Sequence, residues 1–149
     1  MKQYLIIVAA YALIIFGCNQ TMEKEKQNND EREKIIKVYF SGWEKKNWDL
    51  IEKNLDSGFT FTSPNDDDHL PIQKFKDKCW VQADHIQKFN FIRFANTETG
   101  AFVTYRLFTK ENTSFRNTEY FDFVNGKIKS IEVFFGVGEG SQGFPTNKK

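Results

Sequence analysis

Chemistry in a protein needs titratable or nucleophilic groups that the fold can draw out of water, and few positions of this chain qualify. Glu119 is the foremost. It sits in the segment 115–124 (FRNTEYFDFV), where the odd positions are Phe115, Asn117, Glu119, Phe121 and Phe123 and the even ones are Arg116, Thr118, Tyr120 and Asp122. Successive side chains of a strand face opposite ways, so Glu119 shares an inward, ring-rich face with one amide. A carboxyl in such surroundings either has a raised pKa or takes a partner, because an unpaired buried charge is costly. Ser63, next to Pro64, offers a hydroxyl, which cannot take a proton from carbon as a carboxylate does. Asp66, Asp67, Asp68 and His69 are potential metal ligands, but consecutive residues of a turn cannot all converge on one ion. A solvated acidic loop is expected there rather than a metal site. Cys79 lies in a helical pattern and is expected as a small core residue rather than a nucleophile, and His85 as a surface or satisfied histidine.

The elements that must position these groups are legible from periodicity. From Asp30 onward Ile35, Ile36, Tyr39, Phe40 and Trp43 recur at helical spacing and make one apolar face. Asn47 caps a short second helix through Trp48, Leu50, Ile51 and Leu55, which stops at Ser57-Gly58. Phe59 to Thr62 alternates as a short strand, closed by Ser63-Pro64 and the acidic loop. A third helix follows, with Pro71 in its first turn and Ile72, Phe75, Cys79 and Ala83 along one face. Four strands come next, at 87–96, 101–109, 115–124 and 127–135, the last two joined by the hairpin signal Asn125-Gly126. Helices followed by a meander predict an α+β domain, a curved antiparallel sheet whose concave face is covered by three N-terminal helices.

Composition narrows the class of function. The chain has 149 residues, with 16 phenylalanines, 5 tyrosines and 3 tryptophans, enough rings for a real core. Lys and Arg number 21 against 20 Asp and Glu, a balance that gives no basic surface for nucleic acid. Residues 1–17 (MKQYLIIVAAYALIIFG) combine Lys2 with an apolar run short for a bilayer span and read as an export signal. The run ends in Ile15-Phe16-Gly17-Cys18, which resembles the bacterial lipobox. That resemblance implies acylation of Cys18, palmitate-type chains holding the protein to a membrane, and cleavage before the cysteine. Residues 18–30 then form a polar tether. Asn19 after the cysteine implies an extracytoplasmic lipoprotein of the outer rather than the inner membrane. Residues 31–136 form the domain, and 137–149 are expected to be a loose tail.

The order of two helices, a short strand, a helix and a four-strand meander carries a wider resemblance. With Phe121-Asp122-Phe123-Val124-Asn125-Gly126-Lys127-Ile128 and the closing Phe134-Phe135-Gly136, it is similar to the SnoaL-like branch of the nuclear transport factor 2-like superfamily over residues 31–136. The resemblance implies a cone-shaped, cystatin-like roll around a pocket. Ketosteroid isomerases of this superfamily use a phenol on the first helix, a carboxylate base before a proline, and a second acid on the third meander strand. Laid on that pattern, Tyr39 takes the phenol's place and Glu119 the second acid's, whereas Ser63 stands where the base belongs. The implied pocket is lined by Tyr39, Ser63, Glu119, Phe121 and Phe123.

With that base missing, the sequence favours a lipid-anchored domain that binds a small apolar or aromatic molecule, or keeps the pocket as scaffold, without catalysis and without a cofactor. An isomerase- or lyase-like enzyme using Tyr39 and Glu119 as candidate catalytic oxyanion donors, with Asp66 swung in as base, is the alternative. A third reading is a homodimeric interaction module. It pairs through an outward sheet face built from Thr104, Arg106 and Phe108 on one strand and Ile128, Ser130, Glu132 and Phe134 on another.

Overall fold

A computed structural model describes residues 2–64 and 67–135, with side chains for 23–64 and 68–134. The chain divides into two compact units between Glu31 and Arg32. The first helix, α1 (Lys2–Lys45), supplies the described part of the first unit and enters the second from Arg32 onward. The polar segment 18–30 is thus helical, as its content of Glu, Lys and Gln permits. The side chain of Cys18, Asp66, and the tail 137–149 lie outside the described residues. Among the described residues no helix is long and apolar enough to cross a membrane.

The second unit is the α+β fold expected, helices against a curved, unclosed sheet. After α2 (Trp48–Glu52) come β1 (Leu55–Ser63), β2 (Asp67–Pro71), α3 (Ile72–Cys79), a 3-10 turn (Trp80–His85), β3 (Ile86–Asn96), β4 (Gly100–Thr109), β5 (Ser114–Val124) and β6 (Lys127–Phe135). The six strands run in the order β2-β1-β6-β5-β4-β3, antiparallel except that β1 lies parallel to β6. Asn47 caps α2 by accepting from the Leu50 amide at 3.3 Å, and Asn125 and Gly126 make the hairpin turn with φ of 49° and 73°.

Three sequence expectations need correction. Helix α2 ends at Glu52, and Leu55 opens β1 instead of closing the helix. The Ile128 amide donates to the Asn54 carbonyl at 2.8 Å and Leu55 pairs with Ile128, so the neighbouring strand captures this stretch. Ser57-Gly58 becomes an irregularity inside a strand. The segment from Asp67 is a strand paired with β1, where an acidic loop was expected through Asp68. Ile128, expected outward, is fully buried: pairing passes from Asp122–Ser130 to Phe123–Ile128, so the bulge at Lys129 reverses the facing of the start of β6.

A second bulge at Ile92 does the same on β3. Phe89 and Phe91 face the core before it and Phe94 after it, while Ile92 itself is thrown outward. Such bulges bend the sheet around α1, whose Ile36, Tyr39, Phe40 and Trp43 fill the concave side. Two fixings hold α1 there. Arg32 donates to the Thr97 and Glu98 carbonyls at 3.0 and 2.9 Å, with its guanidinium 5.8 Å from the centre of the Phe123 ring. Gly42 lets α2 approach, since a Cβ there would lie 2.6 Å from Ile51 Cγ1. Gly100 is tighter still, with a Cβ meeting the Phe121 carbonyl oxygen at 2.0 Å.

The outward sheet face carries apolar side chains. Phe102 and Phe134 are 39% and 44% exposed, and the Phe102 ring lies 4.7 Å from Tyr120 and 6.3 Å from Phe134. Phe108, also on that face, is half-buried with the Lys88 ammonium 4.9 Å from its ring centre.

Candidate functional site

Between α1, α3 and the concave sheet lies a cavity of about 200 Å³. The walls are rings: Tyr39, Phe40 and Trp43 from α1, Phe61 from β1, Phe75 from α3 and Phe89 from β3. They meet edge to face or tilted, as between Phe40 and Tyr105 at 4.9 Å and Phe61 and Phe75 at 4.7 Å. Lys78 and Gln82 also line it and are exposed, which marks where the cavity meets solvent. Cys79, expected in the core, is half-buried and forms part of the wall.

Three buried polar groups form one cluster. Asn117 and Glu119 point inward from β5, 5% and 7% exposed, and β4 places Tyr105 directly opposite Asn117. The Tyr105 hydroxyl donates to Glu119 Oε1 at 2.5 Å, and Asn117 Nδ2 donates to the Tyr105 oxygen at 3.3 Å. Among the described residues, no protein group pairs with Glu119 Oε2 or Asn117 Oδ1. Burial pushes the Glu119 carboxyl up to about 7, against the lowering effect of the Tyr105 hydrogen bond. The phenols of Tyr39 and Tyr105 are raised well above 10, first by burial and then by the charge of Glu119. The site is therefore a neutral phenol and a carboxyl that changes charge near neutrality, enclosed by rings.

Of the residues expected at the pocket, Tyr39, Ser63 and Glu119 line it together. Phe121 and Phe123 do not, because β5 continues past the cavity under α1. Phe121 packs behind Tyr39 with ring centres 5.5 Å apart, and Phe123 lies beneath Arg32. The hydroxyl that reaches Glu119 is that of Tyr105 rather than Tyr39. Tyr105 was missed, although its alternation with Ala101, Val103 and Leu107 marks it as inward; only the register shows what it faces. The polar groups outside the cavity are surface pairs, His85 with Glu111 at 2.8 Å and His69 with Asp68. Among the described residues, no group of three or more His, Cys, Asp or Glu side chains is placed to hold a metal.

The raised Glu119 pKa has a definite sign in stability. The folded chain keeps a proton that the unfolded chain, with an ordinary value of 4.5, has already released. Stability contributed by this group is therefore complete below pH 4.5, falls as pH rises to about 7, and changes no further beyond, a loss of about 3 kcal/mol at most. Denaturant unfolding across this range should show that decline in the native chain, and Glu119→Gln should remove it. Parallel curves for the two proteins would contradict a carboxyl titrating in the core.

No family model matches the chain, and no curated protein does. Solved structures do. A de novo designed protein with a curved β-sheet superposes with a TM-score of 0.63 at 12% identity, covering 72% of this chain and 86% of its own. An NTF2-like protein of unknown function from Cytophaga hutchinsonii gives 0.56 at 13% identity, over 70% and 89%. A candidate polyketide cyclase from Sinorhizobium meliloti gives 0.58 at 13% identity, over 68% and 94%. At such identities the likeness concerns the backbone alone. The chain has the NTF2-like cone fold.

Proposed function

We propose that the cone is a binding site for a small, largely apolar molecule about the size of one aromatic ring, held without chemical conversion. The observation that carries this is the cavity itself, walled largely by rings with a few polar groups among them, Tyr105, Asn117 and Glu119 in one hydrogen-bonded cluster, the usual make-up of a ligand pocket. Its volume of about 200 Å³ exceeds the roughly 150 Å³ of an apolar cavity that admits benzene. Against catalysis by proton abstraction stands the composition of the wall. Among the described residues Glu119 is the one carboxyl that lines the cavity, its Oε1 is already hydrogen-bonded to a phenol, and the position before Pro64 offers Ser63. The cyclase named above is the comparison that would favour an enzyme, and at 13% identity it brings no residue with it.

Ethylbenzene is a suitable probe of the cavity. It should raise the melting temperature of the native protein and shift the NMR signals of Phe75 and Phe89, and Cys79→Phe, which extends a ring into the same space, should abolish both effects. Equal responses in the two proteins, or none in either, would refute the pocket reading.

The leader completes the proposal. Residues 1–17 direct export and Cys18 becomes the acylated first residue, anchoring the domain to a membrane, the outer membrane by the sorting signal at Asn19. Two or more acyl chains give a stable anchor, each buried methylene contributing about 0.8 kcal/mol. A clickable fatty acid should label the native chain in a bacterial host and leave Cys18→Ser unlabelled; label on the variant would defeat the claim.

The exposed pair Phe102 and Phe134 favours one further property, self-association through the outward sheet face. Light scattering should show a dimer at micromolar concentration that Phe134→Lys shifts to monomer. A native protein that stays monomeric at high micromolar concentration would dismiss it.

A further inference from the structure

The polar cluster of the cavity has a direction. Asn117 gives one of its two amide hydrogens to Tyr105, Tyr105 gives its hydroxyl hydrogen to Glu119 Oε1, and the sequence of donations ends there. With Glu119 ionised, Tyr105 has one proton to give and the carboxylate takes it, so the Asn117 amide must present its nitrogen to Tyr105 and its oxygen elsewhere. Besides the second Asn117 amide hydrogen, what remains are two buried acceptors, Asn117 Oδ1 and Glu119 Oε2, two residues apart on the same face of β5 and without a protein donor among the described residues. Tyr39, Phe40, Phe75 and Phe89 line the same cavity. An acceptor pair of which one member carries negative charge, enclosed by aromatic rings, is complementary to a group with several N–H donors and a positive charge.

Resting on the reading of the cavity as a ligand site, we propose that its preferred ligand is a primary ammonium on a one-ring skeleton, its N–H groups donating to Asn117 Oδ1 and Glu119 Oε2 and its carbon frame lying among the rings. The ammonium supplies the counter-charge that burial otherwise denies Glu119, and both orphaned acceptors gain donors from one group. A ligand with an oxyanion or carbonyl instead meets these two acceptors, with the second Asn117 amide hydrogen and the Tyr39 hydroxyl as donors nearby, and gains a donor at Glu119 itself only when that carboxyl is protonated. The two ligand classes therefore have opposite pH dependence.

The groups that face Glu119 are Tyr105 from β4, Asn117 on its own strand, Tyr39 from α1 and the apolar Val133 opposite on β6, with Cys79 and Lys78 further along the wall from α3. Both phenols stay neutral near pH 7. An alkylamine is protonated throughout pH 6 to 8. With Glu119 titrating near 7, its binding should tighten about tenfold from pH 6 to pH 8.

The test is calorimetric titration of the full-length protein with 2-phenylethylamine, 2-phenylethanol and phenylacetate at pH 6 and pH 8. The amine should bind at least about tenfold more tightly than the alcohol at pH 8, and phenylacetate weakest of the three. Glu119→Gln should remove the pH dependence of amine binding and cost it about tenfold or more, with the alcohol changed less than about twofold. That comparison separates the carboxyl from Cys79 and Lys78. Should the variant fail to fold, the order of the three probes on the native protein and its pH profile decide. Alcohol or phenylacetate binding as tightly as the amine at pH 8, or amine binding that weakens as pH rises, overturns the ammonium assignment and leaves the pocket reading intact. Ethylbenzene and all three probes failing to bind overturns both.

Discussion

A carboxyl group inside a cone of aromatic rings, held by one phenol, is the constraint around which this domain is organised. Glu119 and Tyr105 meet at 2.5 Å only because β4 and β5 pair in a register that sets Tyr105 across from Asn117, one inward position from Glu119. Shifting that register by one residue would put Tyr105 on the opposite face from Asn117 and Glu119 and turn the apolar positions of one of the two strands outward. The hydrogen bond offsets part of the desolvation cost of the carboxyl, and the remainder appears as a pKa near 7 instead of 4.5. Packing and charge are linked here in one place: the rings that make the core dry are what make the carboxyl responsive around neutral pH.

The cone that encloses this pair is produced by local irregularities. Bulges at Ile92 and Lys129 each insert one residue, switch which side chains face inward, and bend their strands. The bend lets a helix pack into the concave side of the sheet, and α1 contributes Tyr39, Phe40 and Trp43 to the cavity wall. Glycine is required where backbones come closest, at Gly100 against the Phe121 carbonyl and at Gly42 against Ile51. Arg32 holds the start of this helix segment to the β3–β4 turn through two carbonyls.

Function on this scaffold must be argued from the site, because the backbone likeness extends to a designed protein as readily as to a candidate cyclase. Among the described residues the cavity is lined by one carboxyl, that of Glu119, by Ser63, and by two buried acceptors with no protein donor. Leaving a buried acceptor unpaired costs about 1–3 kcal/mol, so each of these two atoms bears on what the cavity would accept.

Alternation and helical periodicity alone determined the fold class, the strands from β3 to β6, the aromatic face of α1 and the inward aim of Glu119, because each is a local pattern of side-chain facing. Tertiary structure decided the rest. Leu55 reads as the last apolar position of a helix until the edge of β6 offers it a partner, and Asp67 and Asp68 read as the end of an acidic loop until β1 pairs with the strand they open. Ile128 reads as outward until a bulge reverses the phase. Tyr39 and Tyr105 are both inward phenols by pattern, and no pattern says which reaches Glu119. That choice depends on inter-strand register and on where a helix crosses the sheet, quantities set by contacts between residues far apart in the chain, of which a local reading carries no trace.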